Sequence, residues 1–264
     1  MTDRAKQALE ALALDPIIET TSDRHSFGFR KGRSGHDARE QLFNSLAKKK
    51  SAEWVVEGDI KACFDEIAHE WLLANTPMDK TILKEFLKAG YVYEKELFPT
   101  ERGTPQGGIV SPILANHTLN GLDKLLEDTY KREHAGKGAT YRLVVPKINL
   151  VRYADDFIIT APTKERAEEV RETVRKHMAE RGLQLSEEKT LITNIADGFD
   201  FLGWNFRKYK GKLLIKPSKK AQQSGMEKIR KVIDLCKARP QDELIGRLNA
   251  IIRGWSNLSS HPKI

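Results

Sequence analysis

The chain has 264 residues, with 45 Lys and Arg against 37 Asp and Glu, a formal charge of +8. Such a surplus suits a polyanion, whose phosphates these side chains would neutralise in a salt-dependent way. Its two cysteines, Cys63 and Cys236, exclude a disulfide scaffold and a cysteine-zinc cluster and point to a reducing, cytoplasmic setting with free thiols. No apolar run reaches the length of a membrane span, and the charged N-terminus is not signal-like.

Residues 5–14 read as a strong helix closed by Asp15-Pro16. Arg30 and Arg33 flank Gly32 in a short aromatic-containing segment, and their planar guanidinium forks suit phosphate. A helix begins near His36. Residues 54–56 form a β-prone run with Asp59 where the strand would end. Asp65 opens the helical stretch 67–74, and capping that helix is its expected role. Helices are expected over residues 79–89, 112–130 and 164–181. Strands near residues 201–202 and 212–215 are expected to finish the sheet, and helices follow over 223–237 and 242–255.

Between these elements stands Tyr153-Ala154-Asp155-Asp156, set between Leu150-Val151 and Phe157-Ile158-Ile159. Strand formers on both sides make it a β-hairpin turn carrying paired carboxylates. An ordinary polar turn is the plain alternative, yet adjacent negative charges repel unless a cation lies between them. Magnesium prefers oxygen ligands and joins carboxylates to substrate phosphates. If the strand ending at Asp59 pairs beside this hairpin, three acids converge at one sheet edge. That set suits two metal ions roughly 3.5–4 Å apart, the arrangement of phosphoryl and nucleotidyl transfer.

In the loop over residues 104–112, Gly107 and Gly108 permit close backbone approach while Pro105 and Pro112 stiffen the ends. Gln106 both donates and accepts hydrogen bonds, which suits a nucleotide. The alternative is an ordinary Gly-Pro surface loop; a Gly-Lys-Ser/Thr phosphate loop is excluded because no lysine follows the glycines. Phe64, five residues after Asp59, reads equally as core packing, and Lys189 equally as a solvated lysine.

Several blocks, in this order, resemble those of the group II intron-encoded (retron-type) reverse transcriptase and maturase family. They are His25-Ser26-Phe27-Gly28-Phe29-Arg30-Lys31-Gly32-Arg33-Ser34, residues 57–67, the loop 102–112, Tyr153-Ala154-Asp155-Asp156, residues 182–190, and Phe201-Leu202-Gly203-Trp204. The resemblance implies an α+β right-hand polymerase palm, an antiparallel sheet with packed helices, plus partial fingers and a partial helical thumb. Residues 1–52 would form the finger–palm base, 53–216 the palm and 217–264 the start of the thumb. It places two magnesium ions, with manganese as an alternative, on Asp59, Ile60, Asp155 and Asp156, with Asp59 and Asp155 bridging both.

The resemblance also sets Phe64 against the incoming sugar, where its ring would clash with a 2′-hydroxyl. Gln106 and Lys189 would meet the nucleotide, and Arg30, Arg33, Gly203 and Trp204 the nucleic acid. The implied partners are an RNA template, a DNA primer, deoxynucleoside triphosphates and intron RNA, with no membrane. RNA-directed DNA synthesis is the expected activity. An RNA-binding splicing cofactor or inactive fragment on the same scaffold is one alternative, and an RNA-templated RNA polymerase, disfavoured by Phe64, is another. The upstream finger strands are expected to be missing, and no maturase-type helical region or DNA endonuclease domain is expected to follow.

Overall fold

The computed structural model of the chain describes residues 2–93, 96–98, 100–104, 107–131, 133–135, 142–144 and 146–259. Helix α1 (Thr2–Thr21) continues through Pro16 instead of stopping before it. An interior proline costs a helix about 3 kcal/mol. Leu14 and Ile18, one turn apart, are both buried in the core and hold the two halves in line. The residue whose carbonyl loses its partner at Pro16 is Leu12, which is exposed to water. Helix α2 (Gly35–Leu46) begins at a reciprocal capping box, in which Ser34 Oγ accepts from Asp37 N and Asp37 Oδ2 accepts from Ser34 N at 2.6 Å.

Strand β1 (Trp54–Gly58) is followed by α3 (Cys63–Glu66), α4 (His69–Asn75) and α5 (Lys80–Lys88). Asp65 is not the cap expected of it, because it lies inside α3 and α4 starts after Ala68 with no side-chain cap. A short antiparallel pair, β2 (Tyr91–Tyr93) and β3 (Glu96–Phe98), comes next. The helix expected over 112–130 is two, α6 (Ser111–Leu119) and α7 (Leu122–Thr129), broken at Gly121 with φ of 90°. Asp23, from far upstream, caps α7 by accepting from Gly121 N at 3.0 Å and Leu122 N at 3.2 Å. A second antiparallel pair, β4 (Glu133–Ala135) and β5 (Arg142–Val144), follows.

Strands β6 (Leu150–Tyr153) and β7 (Asp156–Ala161) make the expected hairpin, and helix α8 (Lys164–Ala179) and β8 (Leu191–Asn194) complete the unit. The main sheet has the order β6-β7-β1-β8 with every pairing antiparallel. Residues 157–161 of β7 are all buried, as a strand covered on both faces must be. Helix α8 lies against β7 and β1 through Ala167, Val170, Val174 and Met178, whose spacing of three and four residues puts them on one stripe.

The chain divides into two compact units, Met1–Asn194 and Ile195–Ile264. In the second, β9 (Phe199–Phe201), β10 (Trp204–Tyr209) and β11 (Lys212–Pro217) form their own sheet, in the order β11-β10-β9. These strands therefore do not finish the main sheet as the sequence led us to expect. Phe199 and Phe206 stack at 5.2 Å in this smaller sheet. Helices α9 (Lys219–Leu235) and α10 (Gln241–Ser259) follow. Among the described residues, no helix is long and apolar enough to cross a membrane.

Candidate active site

Register places the acids. Gly58 at the end of β1 pairs with Phe157 of β7, and Tyr153 pairs with Asp156 across the hairpin. Asp59 is one residue beyond the Gly58 pair, so it emerges at the same sheet end as the turn Ala154-Asp155, where Ala154 has φ of 57°. The convergence has an electrostatic consequence. The Asp156 carboxyl is pushed up to about 6, first by burial and then by the charges of Asp155 and Asp59, with Lys189 opposing. Lys189 Nζ contacts Asp59 Oδ2 at 3.2 Å and Oδ1 at 3.3 Å.

Lys189 arrives there because residues 184–186 run along the segment after β1. Lys61 N donates to the Gln184 carbonyl and Ser186 N to the Asp59 carbonyl, both at 2.9 Å, around an Ile60–Leu185 bridge. The Lys189 side chain is 68% exposed, so this ion pair contributes little stability and exchanges readily for another cation or anion. A cavity of about 710 Å³ lies elsewhere in the unit; the one at the acids measures about 670 Å³ and is lined by Asp59, Asp155, Phe64, Gln184 and Lys189, among others.

Phe64 stands on α3, half-buried against the core. Its carbonyl accepts from Thr104 N, and Gly103 N donates to the Ile67 carbonyl at 2.8 Å, so the 102–104 loop is pinned to α3. Phe29 meets the Phe64 ring edge-on, with centroids 6.1 Å apart. Phe29 is 54% exposed and holds φ of 56°, an uncommon conformation for a bulky residue.

Behind the hairpin lies a buried polar brace that the sequence reading missed. Arg152, wholly buried in β6, donates from Nη1 to Asn116 Oδ1 and the Ala154 carbonyl, both at 3.1 Å. Its Nη2 donates to Asn120 Oδ1 at 3.0 Å, and burial brings its guanidinium down to about 10. Asn116 Nδ2 in turn donates to the Gly28 carbonyl at 2.8 Å. Phe27 N donates to the Arg152 carbonyl and Arg152 N to the His25 carbonyl, so residues 25–27 run beside β6. The legible signal was an arginine inside an otherwise apolar strand.

The other expected site residues divide. Arg30 is not available to nucleic acid: its side chain is 5% exposed and committed to Glu19, the Asp23 carbonyl at 2.7 Å and the Ser26 carbonyl at 2.8 Å. Arg33 is partly engaged as well, with the Arg24 carbonyl at 2.6 Å and the Phe27 ring beneath it. Trp204 is not at a nucleic-acid surface, being 3% exposed in the β9–β11 sheet, and the Gly203 carbonyl accepts from Ser218 N at 2.8 Å. Gln106 lies outside the described residues. Ile60 has a buried side chain, so only its main-chain oxygen is a possible donor to a metal.

The donor set suits a hard cation. It is carboxylate oxygen, and the nearby Cys63 thiol is pushed up to about 12 by burial and by Asp155, which keeps it from serving as a thiolate ligand. Among the described residues, no group of three His, Cys, Asp or Glu side chains is already gathered around one metal position. The acids are thus convergent but not closed, with Lys189 holding Asp59.

An antiparallel palm sheet with helices packed on it and three acids at one end defines a template-directed polymerase fold. A family profile described as reverse transcriptase (RNA-dependent DNA polymerase) matches residues 1–206, and the chain belongs to that family. Domains of this family use divalent metals. A second profile, group II intron, maturase-specific domain, matches residues 222–258, which corrects the expectation that no maturase-type region follows. The group II intron-encoded protein LtrA of Lactococcus lactis subsp. cremoris is 32% identical over 78% of this chain and 43% of its own length. An uncharacterized 91 kDa protein in the cob intron of Schizosaccharomyces pombe is 30% identical, over 98% of this chain and 40% of its own. The chain therefore spans less than half the length of these two relatives. The apo telomerase of Candida tropicalis aligns with a TM-score of 0.59 at 12% identity, covering 97% of this chain and 50% of that one, and shares the fold.

Proposed function

We propose that this chain carries the nucleotidyl-transfer site of RNA-directed DNA synthesis of the group II intron type. The supporting observation is the meeting of Asp59, Asp155 and Asp156 at one sheet end, beside a cavity lined by Asp59, Asp155, Phe64 and Lys189. Two magnesium ions, or manganese in their place, held by these acids and the Ile60 main chain would activate a primer 3′-hydroxyl and neutralise the triphosphate. The chain's own residues do the rest. Asp156, whose carboxyl is pushed up first by burial and then by Asp155 and Asp59, disfavours the cation-free site. Lys189, released from Asp59, is placed to neutralise phosphate. Phe64, steadied by Phe29, bounds the cavity where a sugar would lie and favours deoxynucleotides. The substrates are an RNA template, a DNA primer and deoxynucleoside triphosphates.

The match on residues 222–258 favours a second role on the same scaffold, RNA binding as a splicing cofactor for intron RNA. Primer extension on an RNA template with magnesium and deoxynucleotides, beside Asp155→Ala, separates the two. The variant should lose nearly all synthesis while keeping nucleic-acid binding. Undiminished synthesis by that variant would overturn the site assignment.

A further inference from the structure

Phe29 joins the turn that carries the paired acids to the aromatic side of the cavity at Asp59. Gly28, the residue before it, leaves no room for a methyl group against the main-chain nitrogen of Ala154. The Gly28 carbonyl accepts from Asn116 Nδ2, and Phe27 N donates to the Arg152 carbonyl, both at 2.8 Å. Arg30, the residue after it, is clamped by the Glu19 carboxylate and by the Asp23 and Ser26 carbonyls. With both neighbours fixed, Phe29 takes φ of 56° and sets its ring against Phe64. Such a conformation persists only where the surroundings over-determine it.

Stability of the fold alone does not call for a phenyl group at this position. A left-handed backbone costs free energy in a bulky residue and almost none in glycine. The Phe29 ring also stays exposed, so it removes little apolar area from water. It meets Phe64 nearly at right angles, with ring planes at 80°.

Phe64 lines the cavity with Asp59 and Asp155, and its support is slight. It stands in α3, four residues that start from a left-handed Ala62 with no side-chain cap. A helix of one turn does not hold itself. Thr104 N and Gly103 N fix the main chain of α3 from one side by donating to the Phe64 and Ile67 carbonyls. The ring itself is held by packing, on the core and against Phe29.

We infer that Phe29 is a specificity-determining residue. It holds the Phe64 ring where a deoxyribose fits and a ribose does not, and through Gly28 it keeps that wall in register with the turn bearing Asp155. Its role rests on the reading of Phe64 as the wall beside the incoming sugar, and it acts through that ring. An apolar wall discriminates against an added hydroxyl by only about a hundredfold even when well placed. A small tilt of the ring is therefore enough to erode the discrimination.

The test is single-nucleotide primer extension on an RNA template, with kcat/KM measured for a deoxynucleoside triphosphate and for its ribonucleotide. A loss of folded protein lowers both values alike and cancels in their ratio. Phe29→Gly removes the ring while relieving the backbone. It should raise relative use of the ribonucleotide by about two- to tenfold, the leverage of one aromatic pair. Phe29→Asn, which also accepts a left-handed backbone, should shift the ratio equally. A shift in the glycine variant alone would trace the effect to chain freedom and overturn the inference.

Phe64→Ala should shift the ratio further, and adding Phe29→Gly to it should then change nothing more. Shifts that simply add would overturn action through Phe64. If Phe64→Ala relaxes the ratio and neither Phe29 variant does, the inference falls and the sugar wall stands. If Phe64→Ala leaves the ratio at the parent value, the wall itself falls and the role of Phe29 with it.

Discussion

A methyl group at Gly28 would stand 2.3 Å from the main-chain nitrogen of Ala154, in the turn that carries the paired acids. No rotamer change relieves such a contact, because the backbone fixes where Cβ stands and the atom it meets is itself backbone. Gly28→Ala must therefore push the hairpin away or strip the Asn116 bond from the Gly28 carbonyl. We expect it to cost about 1–3 kcal/mol, as overpacking does, and to lower DNA synthesis by more than the loss of folded protein explains. Gly32→Ala is the control: nothing lies within 4 Å of its added methyl, and only its φ of 70° is penalised. It should cost about 1 kcal/mol and leave synthesis per folded molecule unchanged. Melting temperatures and primer extension on both variants check this. Equal activity per folded molecule in the two would show that the Gly28 contact does not position the acids.

At the scale of elements, α8 carries a titration that should be visible in stability. His177 is buried on its inner face, and its imidazole is brought down to about 4, first by burial and then by Arg181. The folded state thus resists the proton that the unfolded chain takes up near 6.5. The unfolded state binds more protons between those values, so stability is full above about 6.5 and is lost as pH falls toward 4. The loss amounts to about 3 kcal/mol. Asp156 works in the opposite sense over much of the same range, since its raised carboxyl favours the folded state at lower pH. Only the difference curve between the parent and His177→Gln isolates the histidine. Urea melts at pH 4.5 and 7 should show that difference narrowing in acid, and a constant difference would remove His177 as the cause.

Elements also explain what could be read in the sequence and what could not. The β6–β7 hairpin was legible because strand formers flank a polar turn, and that local pattern alone fixes which sheet end bears Asp155 and Asp156. Arg30 was misread through an error made earlier in the chain. Ending the first helix at Asp15-Pro16 hid Glu19, the carboxylate that α1 carries to the Arg30 guanidinium. The break at Gly121 and the brace from Arg152 through Asn116 to Gly28 depend on partners tens of residues apart, which no local pattern displays. Asp65 shows the same limit in reverse: a plausible local cap was displaced when the chain made the short helix α3 instead.

For the whole molecule, the two units differ in how much apolar surface each buries. The connected core lies wholly within the first unit, extending from Leu14 through Val56 and Ile159 to Leu183. The second relies on Ile195, Phe199, Phe201, Trp204, Phe206 and Cys236, and α9 has no buried residue. Met226, Ile233 and Leu235 on α9 and Ile245, Ile252 and Trp255 on α10 are instead exposed. A unit this small is marginal even when its core is complete. We therefore expect unfolding in two stages, with the C-terminal unit opening first. Hydrogen exchange offers a direct reading: amides of α9 and α10 should exchange through low-energy openings, while those of β1 and β7 should wait for global unfolding of the palm. Adding RNA should slow exchange in the second unit if the segment matching the maturase profile engages it, because a ligand that binds only the folded form stabilises that form. Uniform protection across both units, with one denaturant transition, would show that the chain unfolds as one body despite its divided core.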